Sequence, residues 1–384
     1  AWKNKLKNFH DLKSHTLLID FCLSRLYNER ERSPERSLSS QYPKNSMTSK
    51  ITLKEVAVRA GVSYQTVSKV LNRQAQVSKQ TEQRIMEAVR ELGYRPNQIA
   101  RNMRAKRSYM IGYSWVPTAP SQVNHILDHF LSSMVMEAEA AGYHLLPFPF
   151  REGEAQVDDY RELIHTGRVD AFVLSSVNYN DPRIDYLLER KFPFVAFGRS
   201  NPEFDFPYVD VDGASGLAQA VQYLISKEHR RIAVIAWPED SRVGNERLRG
   251  YFETMQATQL EHRPEWIVRG EGTFEFGREA ASRLFQFAPP ERPTAIVTLN
   301  DTQAIGALHA AREQGLDVGR IFSIIGFDDA PMSQYLLPPL TTVRQPIREA
   351  GRKCVEILIS LVKGKEPLER HVLLAPELVL RASA

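Results

Sequence analysis

Cysteine is nearly absent from the 384 residues: only Cys22 and Cys354 occur. Two thiols far apart in the chain exclude a disulfide scaffold and a cysteine-based metal centre, and they fit a reducing cytoplasm. No uninterrupted apolar run of about 18 residues occurs, so no membrane span is expected. The first apolar run, TLLIDFCL, is broken by Asp20 and makes no secretory signal. The signatures of common enzymes are missing too. There is no Gly-x-Ser-x-Gly elbow, no phosphate-binding Walker loop and no His-Glu-x-x-His. Cys354 lies in an apolar helical pattern and reads as core. His229, before Arg230 and Arg231, reads as structural. No cofactor and no enzymatic activity are expected.

The chain is ordinary in bulk, with 42% hydrophobic and 25% charged residues, enough for a sizeable core and for two or three domains. Its net charge of +4 is unevenly spread. Residues 47–108 hold 13 Lys/Arg against 4 Asp/Glu, residues 1–46 hold 9 against 5, and residues 109–384 hold 28 against 37. A basic segment joined to an acidic body is the footprint of a protein that meets phosphate at one end only.

Residues 1–49 are polar and broken by Pro34 and Pro43, and they are expected to form a disordered extension, with translation starting at Met47. The organising stretch is ITLKEVAVRAGVSYQTVSKVLN, residues 51–72. It reads as two short helices with a tight turn at Gly61, the second capped by Ser63. At about 100° per residue, Tyr64, Gln65, Ser68 and Asn72 share one arc, and Val67, Val70 and Leu71 face the other way. A small helix that packs on one side and shows Tyr, Gln, Ser and Asn, with Lys69 beside them, suits the major groove of DNA. Ser78 caps a third helix carrying Ile85, Val89 and Leu92, which Gly93 stops. Residues 97–104 form at most two turns, a length marginal alone in water. Their arginines repel one another until phosphate or a second subunit removes the penalty. From Tyr109 onward, short apolar strands alternate with amphipathic helices. That pattern predicts two α/β lobes with parallel sheets and a ligand cleft between them.

The phrases TLKEVAVRAGVSYQTVSKVLN and VSKQTEQRIMEAVRELGYRPNQIARNMR resemble the headpiece and hinge of the LacI family of bacterial transcription regulators. The core phrases VDAFVLSS, FVAFGR, YVDVDG, RIAVIA, RLRGY, VTLND, IIGFDD and PPLTTVRQP follow in family order, so the resemblance spans about residues 50–380. It implies an all-α helix-turn-helix headpiece at 50–95, a hinge helix and linker at 96–108, and an α/β two-lobed core at 109–384 like a periplasmic sugar-binding protein. Within the core, the first lobe is expected at about 109–200 and 321–345, the second at about 201–320 and 346–384. Tyr64, Gln65 and Lys69 would probe base edges. Lys69 stands where Arg is usual in the family's namesake, so the bidentate fork to guanine is lost. Thr52, Leu53, Ser63, Thr66, Ser68, Asn72, Tyr94 and Asn97 would contact or position against the DNA backbone. Met103 replaces the usual hinge leucine as an apolar wedge in the minor groove, with Ala100 its small neighbour. For the effector, the resemblance points to Arg199, Arg247, Asp301 and Asp328, with Asn124, Trp237 and Phe274 as additions. Carboxylates and arginines suit vicinal hydroxyls, and an aromatic face suits a sugar ring. The expected protein is a homodimeric, cytoplasmic repressor of carbohydrate genes. It would bind a pseudo-palindromic operator under control of a sugar-like effector. A nucleoside or purine corepressor, a plain sugar-binding protein and an architectural DNA-bending protein are the alternatives.

Overall fold

A computed structural model of the chain describes residues 51–71, 77–94, 107–116, 124–151 and 153–384. Met47, Asn72, Asn97, Ala100 and Met103, and with them the expected extension and most of the hinge, lie outside the described residues.

The N-terminal unit carries three helices among the described residues: α1 (Leu53–Ala60), α2 (Tyr64–Leu71) and α3 (Lys79–Glu91). Each begins where a side chain satisfies an otherwise free amide. Thr52 and Glu55 form a capping box before α1, in which the Thr52 N–H and hydroxyl donate to Glu55 Oε2 at 2.6 and 2.9 Å. The Ser63 hydroxyl accepts the Thr66 N–H at 3.1 Å, and the Ser78 hydroxyl accepts that of Thr81 at 3.2 Å. Gly61 adopts φ 64°, the left-handed conformation that ends α1 and turns the chain into α2. Val56, Val67 and Ile85 are fully buried where the helices meet, and Ala57, Ala60 and Ala88 let them approach. So small a core is near the lower limit of independent stability.

The larger unit consists of two six-stranded layers, each flanked by helices. The first is built from β1 (Met110–Trp115), β2 (His144–Pro149), β3 (Ala171–Leu174), β4 (Phe194–Phe197), β5 (Tyr208–Val211) and β11 (His371–Leu374), in spatial order β11-β5-β4-β3-β1-β2. All its pairings are parallel. The helices α4 (His125–Ala140), α5 (Asp158–His165), α6 (Pro182–Glu189) and α11 (Ile347–Val362) belong to it. The second uses β6 (Ile232–Ala236), β7 (Ile267–Arg269), β8 (Ala295–Thr298), β9 (Ser323–Asp328), β10 (Thr341–Arg344) and β12 (Glu377–Val379), in order β12-β10-β9-β8-β6-β7. Only β12 runs antiparallel there. Its helices are α7 (Gly213–Ser226), α8 (Arg242–Ala257), α9 (Phe274–Phe285) and α10 (Asp301–Glu313). Strands buried on both faces explain the unbroken apolar runs of the sequence.

The lobe boundaries differ from those expected. Residues 201–211 belong to the first lobe through β5, and 323–344 belong to the second through β9 and β10. Residues 347–374 return to the first, where Ile347, Ala350, Cys354 and Leu358 pack against Ile111, Phe130 and Val173. The reason is that the chain crosses between lobes three times, near Asp212, Gln345 and Ala375, so each sheet is completed by a segment distant in sequence. Cys354 is fully buried, and the His229 ring bonds Thr294 and Ser323 at 2.9 Å each, both as a structural role requires. Among the described residues no helix is long and apolar enough to cross a membrane.

Helix α8 lies against α7 with almost no gap. A methyl group at Gly250 would fall 1.9 Å from the Ala214 carbonyl oxygen, a backbone atom that cannot swing away. Gly250→Ala is therefore expected to lower core stability by about 1–3 kcal/mol. A urea unfolding midpoint unchanged from the native protein would show that the helix pair yields freely.

Candidate DNA-reading surface and effector cleft

The capping chemistry of the headpiece decides which polar side chains remain available. Thr52, Ser63 and Thr66 are occupied at helix starts: Thr52 holds Glu55, and the Ser63 and Thr66 hydroxyls lie 2.8 Å apart. The Thr52 backbone N–H and then its hydroxyl hold the Glu55 carboxyl below the usual carboxylate range. Leu53 and Tyr94 are half-buried against the small core, and Ser68 is half-buried on α2. Tyr64, Gln65 and Lys69 are exposed on α2, Tyr64 to 42%. Val67 at the back of the helix is fully buried and fixes which way that face turns. The exposed trio presents an amide suited to paired contacts with adenine, an ammonium suited to guanine acceptors and an amphipathic ring.

In the larger unit a cavity of about 660 Å³ opens between the lobes. Its wall is made at the carboxyl ends of the strands. Ser176 follows β3, Phe197 ends β4 and Asp210 lies in β5; opposite them stand Trp237 after β6, Asn300 after β8 and Asp328 at the end of β9. Of the residues named from sequence for the effector, Asn124, Trp237, Phe274, Arg247 and Asp328 line it. Arg247, on α8, is the most constrained of them. Its Nη1 donates to the Leu299 carbonyl and stands 3.5 Å from Asp328 Oδ1. Its guanidinium lies 3.8 Å from the Phe327 ring centre and 4.9 Å from that of Trp237. Burial pushes the Asp328 carboxyl up against the opposing pull of Arg247. Asp328 takes φ 116°, an unusual value for a non-glycine residue at a place where the wall needs a carboxylate. Among the described residues the Trp237 indole N–H is buried without a hydrogen-bond partner, as is His125 Nε2, and both residues line the cavity.

Two expected effector residues lie elsewhere. Asp301 is 1% exposed and absent from the cavity wall. Its Oδ2 accepts the Ala330 N–H and the Ser333 hydroxyl, each at 2.6 Å, and its Oδ1 accepts the Thr342 hydroxyl at 2.5 Å. It brackets the turn that carries Ala330, Pro331 and Met332 into the wall. Arg199 is also absent from the wall. Its Nε donates to Asp210 at 2.7 Å and its Nη2 to Glu246 at 3.1 Å. Asp210 also receives Arg242 at 3.4 Å, and the Arg242 N–H donates to Asn178 Oδ1 at 2.9 Å. Arg199, Asp210 and Asn178 come from the first lobe and Arg242 and Glu246 from the second, so this cluster bridges them. Sequence reasoning missed His125, Asp210, Glu275 and Gln345 on the wall. Gln345, which donates to Asp328 at 2.6 Å, sits inside the phrase PPLTTVRQP and was there to be found. Asp210 likewise sits inside the phrase YVDVDG, whereas His125 and Glu275 carried no signal of their own.

The family model described as "Bacterial regulatory proteins, lacI family" matches residues 52–97, and the one described as "Periplasmic binding protein-like domain" matches residues 221–384. Over 335 residues the chain is 32% identical to the HTH-type transcriptional repressor CytR of Escherichia coli, covering 86% of this chain and 96% of that protein. A crystal structure of a regulatory protein of LacI family from Chloroflexus aggregans is 64% identical, with a TM-score of 0.70 over 72% of this chain and 98% of the other. The complex of the transcriptional regulator CelR with cellobiose is 30% identical, with a TM-score of 0.66 over 87% of this chain and all (100%) of the other.

Burial, and then the charge of Asp328, push the Asp301 carboxyl up to about 7 from its ordinary 3.8, against the three donors that hold it. A value raised by folding means that the folded core holds this proton more tightly than the unfolded chain. The associated stability is complete below about pH 4 and is lost as pH rises through about 7. Asp301→Asn, which cannot ionise, is expected to flatten the fall in core stability between those limits. Urea unfolding of both proteins across the range measures it. Parallel profiles would mean that Asp301 does not titrate there.

Proposed function

The chain belongs to the LacI family of bacterial transcription regulators, and from that membership we propose how its own residues run the switch. Two copies place their headpieces on a pseudo-palindromic operator, and the face of α2 enters the major groove. Gln65 and Lys69 read base edges with Tyr64 beside them, while Thr52 and Ser63, at the starts of α1 and α2, position those helices against the DNA backbone. The working place of such a regulator is the bacterial cytoplasm, and its relatives are regulators rather than enzymes.

The effector is a carbohydrate bound between the lobes. The observation that carries this reading is the cavity of about 660 Å³ between the lobes, whose wall sets the Arg247 and Asp328 pair beside the rings of Trp237, Phe274 and Phe197. Arg247 and Asp328 offer a donor fork and an acceptor beside it, and the faces of Phe274 and Phe197 suit the C–H surface of a sugar ring. Binding of cellobiose by a related regulator is consistent with this. The ligand acts by favouring one closure of the lobes, and its differential affinity for the two closures is the free energy coupled to DNA binding.

Fluorescence anisotropy on an operator obtained by selection from random duplexes tests both halves. Gln65→Ala is expected to cost about 1–3 kcal/mol on the operator and little on unrelated DNA. An active sugar is expected to change operator affinity by roughly 5–150-fold. Equal affinity for operator and unrelated DNA would sink the DNA half. Operator affinity indifferent to every carbohydrate and nucleoside would sink the effector half.

A further inference from the structure

We infer that Arg107 is the positioning residue through which the core acts on DNA: it fastens the chain leaving for the headpiece to the carboxyl end of α11, a helix whose other end starts at the cleft wall. This rests on the effector-controlled DNA binding proposed above. The basic part of the sequence ends at Ser108, and there the chain is firmly held. The Ser108 N–H and hydroxyl donate to Asp170 Oδ1 at 2.7 and 2.9 Å, and the Tyr109 N–H donates to Asp170 Oδ2 at 2.9 Å. Tyr109 takes φ 56°, left-handed for a residue with a side chain, and its ring centre lies 5.4 Å from that of buried Tyr143. Three donors on one carboxylate fix the direction in which the chain leaves the core. Arg107 is the next residue outward. Its Nη1 donates to the Tyr143 hydroxyl at 3.0 Å and its Nη2 to the Val362 carbonyl at 2.7 Å.

Val362 is the last residue of α11, and a helix leaves its final carbonyls without partners inside the helix. Those of Ile359, Ser360 and Leu361 accept the N–H groups of Lys363, Lys365 and Gly364. The Val362 carbonyl accepts Arg107. A guanidinium suits that place. Its charge meets the negative end of the helix dipole, and its planar fork reaches two acceptors at once, as a lysine ammonium does not.

At the other end of α11, only Gln345 and Pro346 separate it from β10 of the second lobe. Gln345 donates to Asp328 Oδ1 on the cleft wall at 2.6 Å. Between the two ends run 16 residues, about 24 Å of helix. Ala350, Cys354 and Leu358 are fully buried on its inner face, in the core of the first lobe. One stiff member thus begins where the chain crosses between lobes and ends on the side chain beside the exit point. A change at the cleft that shifts or turns α11 moves the Val362 carbonyl against the Asp170 anchor. Arg107 passes that difference to the departing chain.

Anisotropy titrations of the full-length protein on the selected operator and on an unrelated duplex test this without any effector. Arg107→Met, which keeps the stem and removes the donors, is expected to weaken operator binding about tenfold. Binding to unrelated DNA and the salt dependence are expected to stay as they are. Arg107→Lys, which keeps the charge and at most one of the two contacts, is expected to fall between. Gln345→Ala is expected to shift operator affinity about threefold or more in the native protein, and by less than half as much on a logarithmic scale beside Arg107→Met. Circular dichroism melting checks that each variant folds, and Arg107→Lys carries the comparison if Arg107→Met does not. Equal losses on operator and unrelated DNA, with a salt slope lower by about one, would make Arg107 a phosphate contact and overturn the inference. Operator binding untouched by Arg107→Met, or the same Gln345→Ala shift in both backgrounds, overturns it too and leaves the DNA reading standing. A native protein that cannot tell operator from unrelated DNA overturns the DNA reading and the inference with it.

Discussion

The two lobes depend on a shared carboxylate. Asp210 lies in β5 of the first lobe and takes Arg199 from its own side and Arg242 from the other, while Arg199 reaches across to Glu246. Charges so far withdrawn from water are tolerated only when every member is present, because removing one leaves the others unpaired in a poor solvent. The cluster therefore does more to define a relative position than to add stability. A ligand that pulls the walls together or holds them apart works against this contact.

Much of the architecture was readable because physical rules repeat along the chain. The alternation of short apolar runs with amphipathic stretches after Tyr109 became the alternation of strands and helices in both lobes. Short strands were harder. The segments around Tyr208, Ile267, Thr341, His371 and Glu377 are only three or four residues long, and local pattern says little over so few positions. The lobe boundaries failed for a deeper reason. Which sheet a strand joins is decided by packing across the whole unit, and nothing local in residues 346–363 announces that they return to the first lobe.

The site was legible to different depths. Ser63 and Ser78 declare themselves as caps, and the exposed face of Tyr64, Gln65 and Lys69 follows from helical periodicity around a buried Val67. In the cleft, residue type located the acids and arginines but could not say which of them were already spoken for. Asp301 and Arg199 look from sequence like ligand groups. Geometry turns the first into a bracket for a turn and the second into part of the bridge between lobes. The difference lies in partners, and partners come from distant parts of the chain.

The threefold crossing near Asp212, Gln345 and Ala375 has an evolutionary consequence. Neither lobe is encoded by a contiguous stretch, so a recombination event that swaps half of the coding sequence cannot deliver one intact lobe. It delivers fragments of both, with sheets that lack their closing strands. New specificities in such a core therefore have to arise by residue changes within an inherited pair of walls, while the compact headpiece before residue 96 can be exchanged as a cassette.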